Sequence, residues 1–396
     1  MHPAHVFAAP THTDPYPYYA ALVAGPALVF APELGVWIAA RADVVAEVLG
    51  NPCCKVRPVA EPVPPAIVGT VAGTLFGQWL RMQDGSAHTG PKRALQRALA
   101  AVPVPQVQET TRACAMDVVH AAPHGLLVDM LQHWTHVLPC TVVARLLGFD
   151  KEVAAQLVGW MADFVACVSP LSTPAQLAQA SCAGQALRDT VRAAVLAASP
   201  SADNLLYGVL REAAAVGWDD IEAICANLVG LLSQTFDATA GLVGNSIVAL
   251  RRQPGRVEML HASPAQWAAW VQELSRHDPP VQNTRRYVAE PTTVAGIALQ
   301  PGDTIVVVLA AASRDPAVHA RPHAFDIGRT PDPIYGFGTG AHACPGQAWA
   351  YAIVATALQE LLQRQPHLAT APLAWRYRPS LNGRIPQFFT PTEEAA

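Results

Sequence analysis

A mainly α-helical fold, with about a dozen helices and small β pieces, is what the sequence predicts. Three observations predict it. From about Ala87 to Leu250 alanine and leucine dominate, and apolar residues recur three and four apart, as on one face of a helix. The segment from Trp218 to Leu250 reads as one very long helix. It is apolar nearly all round between Ile224 and Leu232, which implies a buried central position. Strand-like runs are few and short.

Taken in order, PALVFAP and GVWIAA flank Glu33-Leu34 and read as the two strands of a hairpin. RADVVAEVLGN reads as a helix ending near Gly50. After the central helix, another runs from about Pro264 to Arg276 and stops before Pro279-Pro280. Thr304 to Leu309 is strand-like. The stretch SRDPAVHARPHAFDIGRTPDPIYGFGTG is too rich in Pro and Gly for regular structure. A last long helix is expected from Pro345 to about Arg364. No internal repeat or low-complexity linker interrupts the chain, so residues 1–396 read as a single domain.

Composition narrows the function. Apolar residues make up 51% of the 396, enough for a core that encloses a small molecule. The formal net charge of −4 argues against nucleic acid, and no lysine-rich run suggests an anionic membrane. No apolar run of about 18 residues occurs, so no membrane span is expected. The first residues lack the basic start and apolar core of a signal peptide. Eight cysteines are scattered without a CxxC pair, which makes disulfides unexpected and fits a cytoplasmic protein. The histidines are dispersed too, and His342 with Cys344 cannot alone form a tetrahedral metal site.

The most informative segment is Phe337-Gly338-Thr339-Gly340-Ala341-His342-Ala343-Cys344-Pro345-Gly346. A glycine-rich turn delivers a cysteine to a helix start, where free N–H groups and the helix dipole favour thiolate. Gly338 and Gly340 allow close backbone approach to a flat ligand. The bland alternative is a buried structural cysteine beside a turn.

This segment resembles the haem-binding loop of the cytochrome P-450 superfamily: Phe, two residues, Gly, three residues, Cys, one residue, Gly, with His two before the Cys. The resemblance covers essentially the whole chain and is closest to the soluble bacterial type. It implies the cytochrome P-450 fold, with a b-type haem between the long central helix and the cysteine loop, and Cys344 as the iron ligand. Phe337, Gly338 and Gly346 belong to that loop. Glu273-Leu274-Ser275-Arg276 matches the family's ExxR, with Arg329 as third member of a structural cluster. His88, Lys92, Arg286 and His342 match the positions that bind haem propionates. Lys92 stands where the family usually has Arg, leaving adjacent Arg93 as a substitute, and Arg285 is a close rival of Arg286.

The central helix departs from the family pattern. Leu231-Leu232-Ser233-Gln234-Thr235-Phe236-Asp237-Ala238-Thr239-Ala240 aligns with the oxygen-binding stretch, which usually reads Ala-Gly-x-Asp/Glu-Thr-Thr. Asp237 keeps the acid, but Ala238 replaces the alcohol after it. Thr239, Thr235, a water or a substrate hydroxyl are the candidate stand-ins. Substrate contacts are expected from the loop between about Val63 and Trp79, from Gly230, Ser233 and Phe236, from Val281 to Asn283, and from Leu381-Asn382-Gly383. None of these named positions is charged, which implies an apolar or aromatic, largely neutral substrate.

The resemblance implies an oxidoreductase that uses haem b, dioxygen and NAD(P)H-derived electrons passed by a ferredoxin reductase and a ferredoxin. Its expected role is monooxygenation of a small secondary metabolite. Ala238 motivates an alternative: oxidative C–C or C–N coupling of aromatic substrates, which transfers no oxygen to product. A reading from another class is a non-catalytic haem sensor or electron carrier.

Overall fold

The Asp220 carboxylate accepts the Ala223 N–H at 3.0 Å and caps a 32-residue helix, Ile221–Arg252. In the computed structural model, which describes residues 2–121, 127–330 and 333–391, this helix is the axis of the molecule. At 1.5 Å per residue it is roughly 48 Å long. Ile224 to Gly230 are all buried, as the all-round apolar pattern predicts. Helices Val71–Gln78, Leu138–Leu146, Pro174–Leu196 and Gln347–Arg364 pack around it. None of the described helices is long and apolar enough to cross a membrane.

The expected hairpin forms from Leu28–Ala31 and Val36–Ala39, and the Arg41 helix runs Ala42–Gly50. The hairpin joins a five-stranded sheet whose central strand, Thr304–Val307, pairs parallel with Val36–Ala39 and antiparallel with Thr284–Val288. That central strand stops at Val307 rather than Leu309, because Leu309–Ala312 turns into a short helix. The last long helix begins at Gln347, two residues later than proline at the first helical position predicts; Pro345 and Gly346 form a turn instead. The Pro- and Gly-rich stretch before it is irregular, with 3-10 turns at Tyr335–Phe337 and Gly340–His342. Its Pro331 and Asp332 lie outside the described residues.

Glycines let the C-terminal segment reach the central helix. A Cβ on Gly241 would sit 2.5 Å from Pro280 Cβ, and one on Gly244 would sit 2.6 Å from Pro386 Cγ. Beside them Asn245 donates to the backbone carbonyls of Asp278 and Arg384, both at 3.1 Å. Buried Arg384 donates to Asp278 at 2.8 Å and to the carbonyls of Pro10, His12 and Thr13. Tyr16 donates to the same Asp278 carboxylate. One buried acid thus ties the N-terminal segment to the C-terminal one across the end of the Pro264–His277 helix.

Candidate active site

The cysteine loop is held by its own backbone. Cys344 N donates to Phe337 O and Gly338 N to Tyr335 O, each at 2.8 Å. Gly338 and Gly340 adopt φ of 70° and 67°, the left-handed region that glycine reaches without strain. Gly336 is equally constrained, since a Cβ there would lie 2.6 Å from Ser275 O. The Phe337 ring meets Tyr351 edge-on at 5.3 Å. Lys92 Nζ donates to Ala343 O at 2.7 Å, so this lysine clamps the loop; Arg93 is exposed.

Burial pushes the Cys344 thiol above its ordinary range, opposed by the Gly346 N–H and the Lys92 charge. The N–H group that favours thiolate, as expected, is that of Gly346, and desolvation outweighs it. A ligated cation would displace the proton. The residue as a whole stays accessible to water although burial desolvates its thiol.

A cation cluster lies alongside. The His88 and His342 rings stack at 4.2 Å, and His342 Nε2 reaches Asp84 Oδ1 at 3.3 Å. Burial pulls the His88 imidazole down to about 4, and the His342 and Lys92 charges push the same way. Its Nε2 is buried and has no hydrogen-bond partner among the described residues. Strand alternation separates the two arginine candidates. Arg285 lies over the Phe7 ring, whereas Arg286 is buried and donates to the Arg285 carbonyl, with Asp84 supporting its charge. Asp84 was missed in the sequence; its signal is the Asp-Gly that opens the His88 helix, Ser86–Ala101. Burial would raise the Asp84 carboxyl, but hydrogen bonds from His342 and the Val56 N–H outweigh it and hold it below the usual range.

This donor set fits a haem. It offers one accessible cysteine, a glycine-lined loop, an orphaned imidazole nitrogen, and several cations around a single carboxylate. Behind it, Arg276 makes a bidentate pair with Glu273 at 2.9 and 2.6 Å, both side chains fully buried. Arg329 Nε lies 3.6 Å from the same carboxylate.

The central helix presents Gln234 exposed and Leu231, Thr235, Asp237 and Ala238 half-buried. The expected substrate face of this helix is buried. Gly230, Ser233 and Phe236 are three apart and point into packing: a Cβ on Gly230 would meet Trp79 at 2.9 Å, and Phe236 packs on His136 at 5.4 Å. Asn283 is also committed, donating to Leu381 O at 2.9 Å from a buried position, and Val281 bridges to Gly383. Asp237 pairs with Arg378 of the C-terminal hairpin at 2.8 Å. Thr235 donates to Leu231 O at 2.8 Å and Gln234 to Gly230 O at 3.0 Å. Thr239 is buried.

Arg81 is the residue that sequence reasoning missed outright. It stands on the 3-10 turn Leu80–Met82, with its guanidinium 4.7 Å above the Trp79 ring. Trp79 Nε1 donates to Ala226 O at 3.0 Å, and Leu80 N to Asn227 Oδ1 at 2.8 Å, which seats this turn on the central helix. The available signal was that Arg81 is the only charge between Glu61 and Asp84.

Known proteins resemble this chain in sequence and in fold. A family model described as Cytochrome P450 matches residues 267–367. The cytochrome P450 monooxygenase PikC of Streptomyces venezuelae is 30% identical over 388 residues, covering 93% of this chain and 89% of that one. The biotin biosynthesis cytochrome P450 of Bacillus subtilis is 25% identical over 252 residues, 64% of each chain. The ligand-free structure of CYP164A2 from Mycobacterium smegmatis superposes with a TM-score of 0.75 at 25% identity, covering 97% of both chains. Identity to PikC extends far beyond the cysteine loop, through nearly the whole fold that carries it, and the chain therefore belongs to the cytochrome P450 family of haem-dependent oxidoreductases.

Proposed function

We propose that the protein is a cytoplasmic haem-thiolate monooxygenase that takes electrons from a ferredoxin-type partner and inserts one oxygen atom into a small, mainly apolar secondary metabolite. What supports this reading is the accessible Cys344 on its glycine-turned loop, together with a central helix that keeps its acid, Asp237. Cys344 would hold the iron, and His88, His342, Arg286 and, through the loop, Lys92 would hold the propionates. Bound in this way, haem supplies dioxygen activation, with the thiolate favouring O–O cleavage. Oxygen-18 incorporation into product, from labelled dioxygen and not from labelled water, tests the reading. Turnover without label would overturn it.

Haem retention should depend on the cluster. Replacing Arg286 with Gln and His342 with Ala removes a buried cation and a buried donor, each worth about 1.5–3 kcal/mol where it meets a charge. The double variant should keep its helical content and lose haem to a scavenger protein at least about tenfold faster. Unchanged loss kinetics would take these residues out of the haem site.

A second reading, oxidative coupling without oxygen transfer, rests on Ala238. Where the family carries a hydroxyl this chain has a methyl group, and neighbouring Thr235 already donates to its own helix. Positioned proton transfer is typically worth about 10²–10⁴-fold, so the identity of the relay matters. Ala238→Thr should change how reducing equivalents divide between product and hydrogen peroxide. Under monooxygenation, coupling should stay similar or improve. Under radical coupling, hydroxylated by-products should appear at the expense of coupled product. Asp237→Asn should slow either reaction about tenfold or more. If product ratio, peroxide yield and cofactor consumption are unchanged in both variants, this segment relays no protons.

A further inference from the structure

Two arginines at the core of this protein are heavily engaged, and buried Arg286 donates to the Arg285 carbonyl. Arg276 spends its donors on Glu273, Ser313, Pro322 and Ala324, and Arg384 on Asp278, Pro10, His12 and Thr13. Arg81 breaks the pattern. Protein surrounds its guanidinium, and the resulting desolvation lowers its pKa, yet the residue remains accessible to water. Among the described residues it makes no hydrogen bond and no ion pair; its one close partner is the Trp79 face, 4.7 Å away. A guanidinium carries five N–H donors, so all of them are free.

The surrounding charges do not neutralise it. The groups that support Arg81 electrostatically are Cys167 and Asp237. Burial pushes the Cys167 thiol up to about 12, so it is uncharged at neutral pH. Asp237 is already engaged by Arg378 at 2.8 Å. His136, which packs on Phe236 beside them, has its pKa lowered by burial and by Arg378, which leaves it neutral. Two arginines therefore share one carboxylate, an excess of one positive charge beside the open face that shows Gln234. Asp84 supports Arg286, whereas the groups that support Arg81 are Cys167 and Asp237, so this cation stands apart from the propionate set.

We propose that Arg81 is a carboxylate-recognition group of the substrate pocket, and that the natural substrate is an apolar or aromatic molecule bearing one carboxylate. Trp79 holds the planar guanidinium in place, and its fork geometry matches a carboxylate in bidentate fashion. The substrate's apolar body would lie along Leu231 and Ala238, and its charge would complete the deficit. The proposal rests on reading this face of the central helix as the substrate site, and it replaces the neutral substrate expected from the sequence.

The test is calorimetric titration of the holoenzyme with 4-phenylbutanoate and with 4-phenylbutan-1-ol, for wild type, Arg81→Gln and Arg81→Lys. Wild type should bind the acid about ten- to hundredfold more tightly than the alcohol, as charge-assisted hydrogen bonds imply. Arg81→Gln should abolish that preference and leave the alcohol within about twofold. Arg81→Lys should keep part of it, because an ammonium supplies charge without the fork. A wild type that binds the acid no better than the alcohol, including one that binds neither, overturns the proposal. So does a preference that survives in Arg81→Gln. The wild-type comparison decides the matter even if a variant fails to accumulate. Because calorimetry reads binding alone, a failure here is distinct from a failure of oxygen-18 incorporation.

Discussion

Cys344→Ser should abolish the red-shifted Soret band that reduced, carbon-monoxide-treated protein shows under thiolate ligation, and with it the oxygenase activity. The substitution is nearly isosteric, and the loop does not depend on the sulfur. It depends on Cys344 N to Phe337 O and on Gly338 N to Tyr335 O, both backbone bonds at 2.8 Å. The variant should therefore fold, keep its helical content and hold haem through the propionate cluster, while the band moves to the position typical of a non-thiolate ligand. The control is Cys140→Ser. That thiol is fully buried, burial pushes it up to about 12, and it lies against the Leu232 carbonyl at 3.9 Å on the far side of the central helix. Its replacement should leave the band unchanged. A red-shifted band persisting in Cys344→Ser would remove the assignment on which the proposed function stands.

What was legible in the sequence was local. The cysteine loop, the Glu273-Leu274-Ser275-Arg276 turn of helix and the long central helix each lie within a few tens of residues, where periodicity and turn chemistry act directly. The boundaries of that helix moved by only two or three residues, because Asp220 rather than Trp218 is its cap. Direction was less legible than existence. An all-round apolar helix gives no clue to which stripe is open to water: Leu231, Gln234 and Ala238 are exposed or half-buried, whereas Gly230, Ser233 and Phe236 are buried. Pairings across the chain were not legible at all. Asp237 with Arg378, His342 with Asp84 and Arg384 with Asp278 join residues 141, 258 and 106 positions apart. No local rule selects such partners. Arg81 shows the remaining gap: a lone charge in an apolar stretch is visible in sequence, but that it lacks a partner is a fact of three dimensions.

Glu273→Ala should cost about 3–5 kcal/mol, the range for leaving one member of a buried ion pair uncompensated. The expectation is firm because Arg276 cannot turn to water: both side chains are fully buried. Glu273 also accepts the Asp326 N–H at 3.0 Å and lies 3.6 Å from Arg329, so its loss leaves more than one group unserved. The urea midpoint and the yield of folded protein should both fall sharply. Glu273→Gln should recover part of the loss, since an amide oxygen can still accept from Arg276 and from Asp326 N but brings no charge. The double replacement Glu273→Met with Arg276→Leu separates two kinds of pair. A pair that interacts only with itself can often be replaced by apolar residues at little cost. Here Arg276 also serves the carbonyls of Ser313, Pro322 and Ala324, at 3.0, 2.8 and 3.1 Å. These acceptors anchor the irregular stretch that leads to the cysteine loop. The double variant should therefore stay destabilised, and its haem content should fall together with its stability. If it regains the wild-type midpoint, the three carbonyls are served by other donors, and the pair does not brace the loop that carries Cys344.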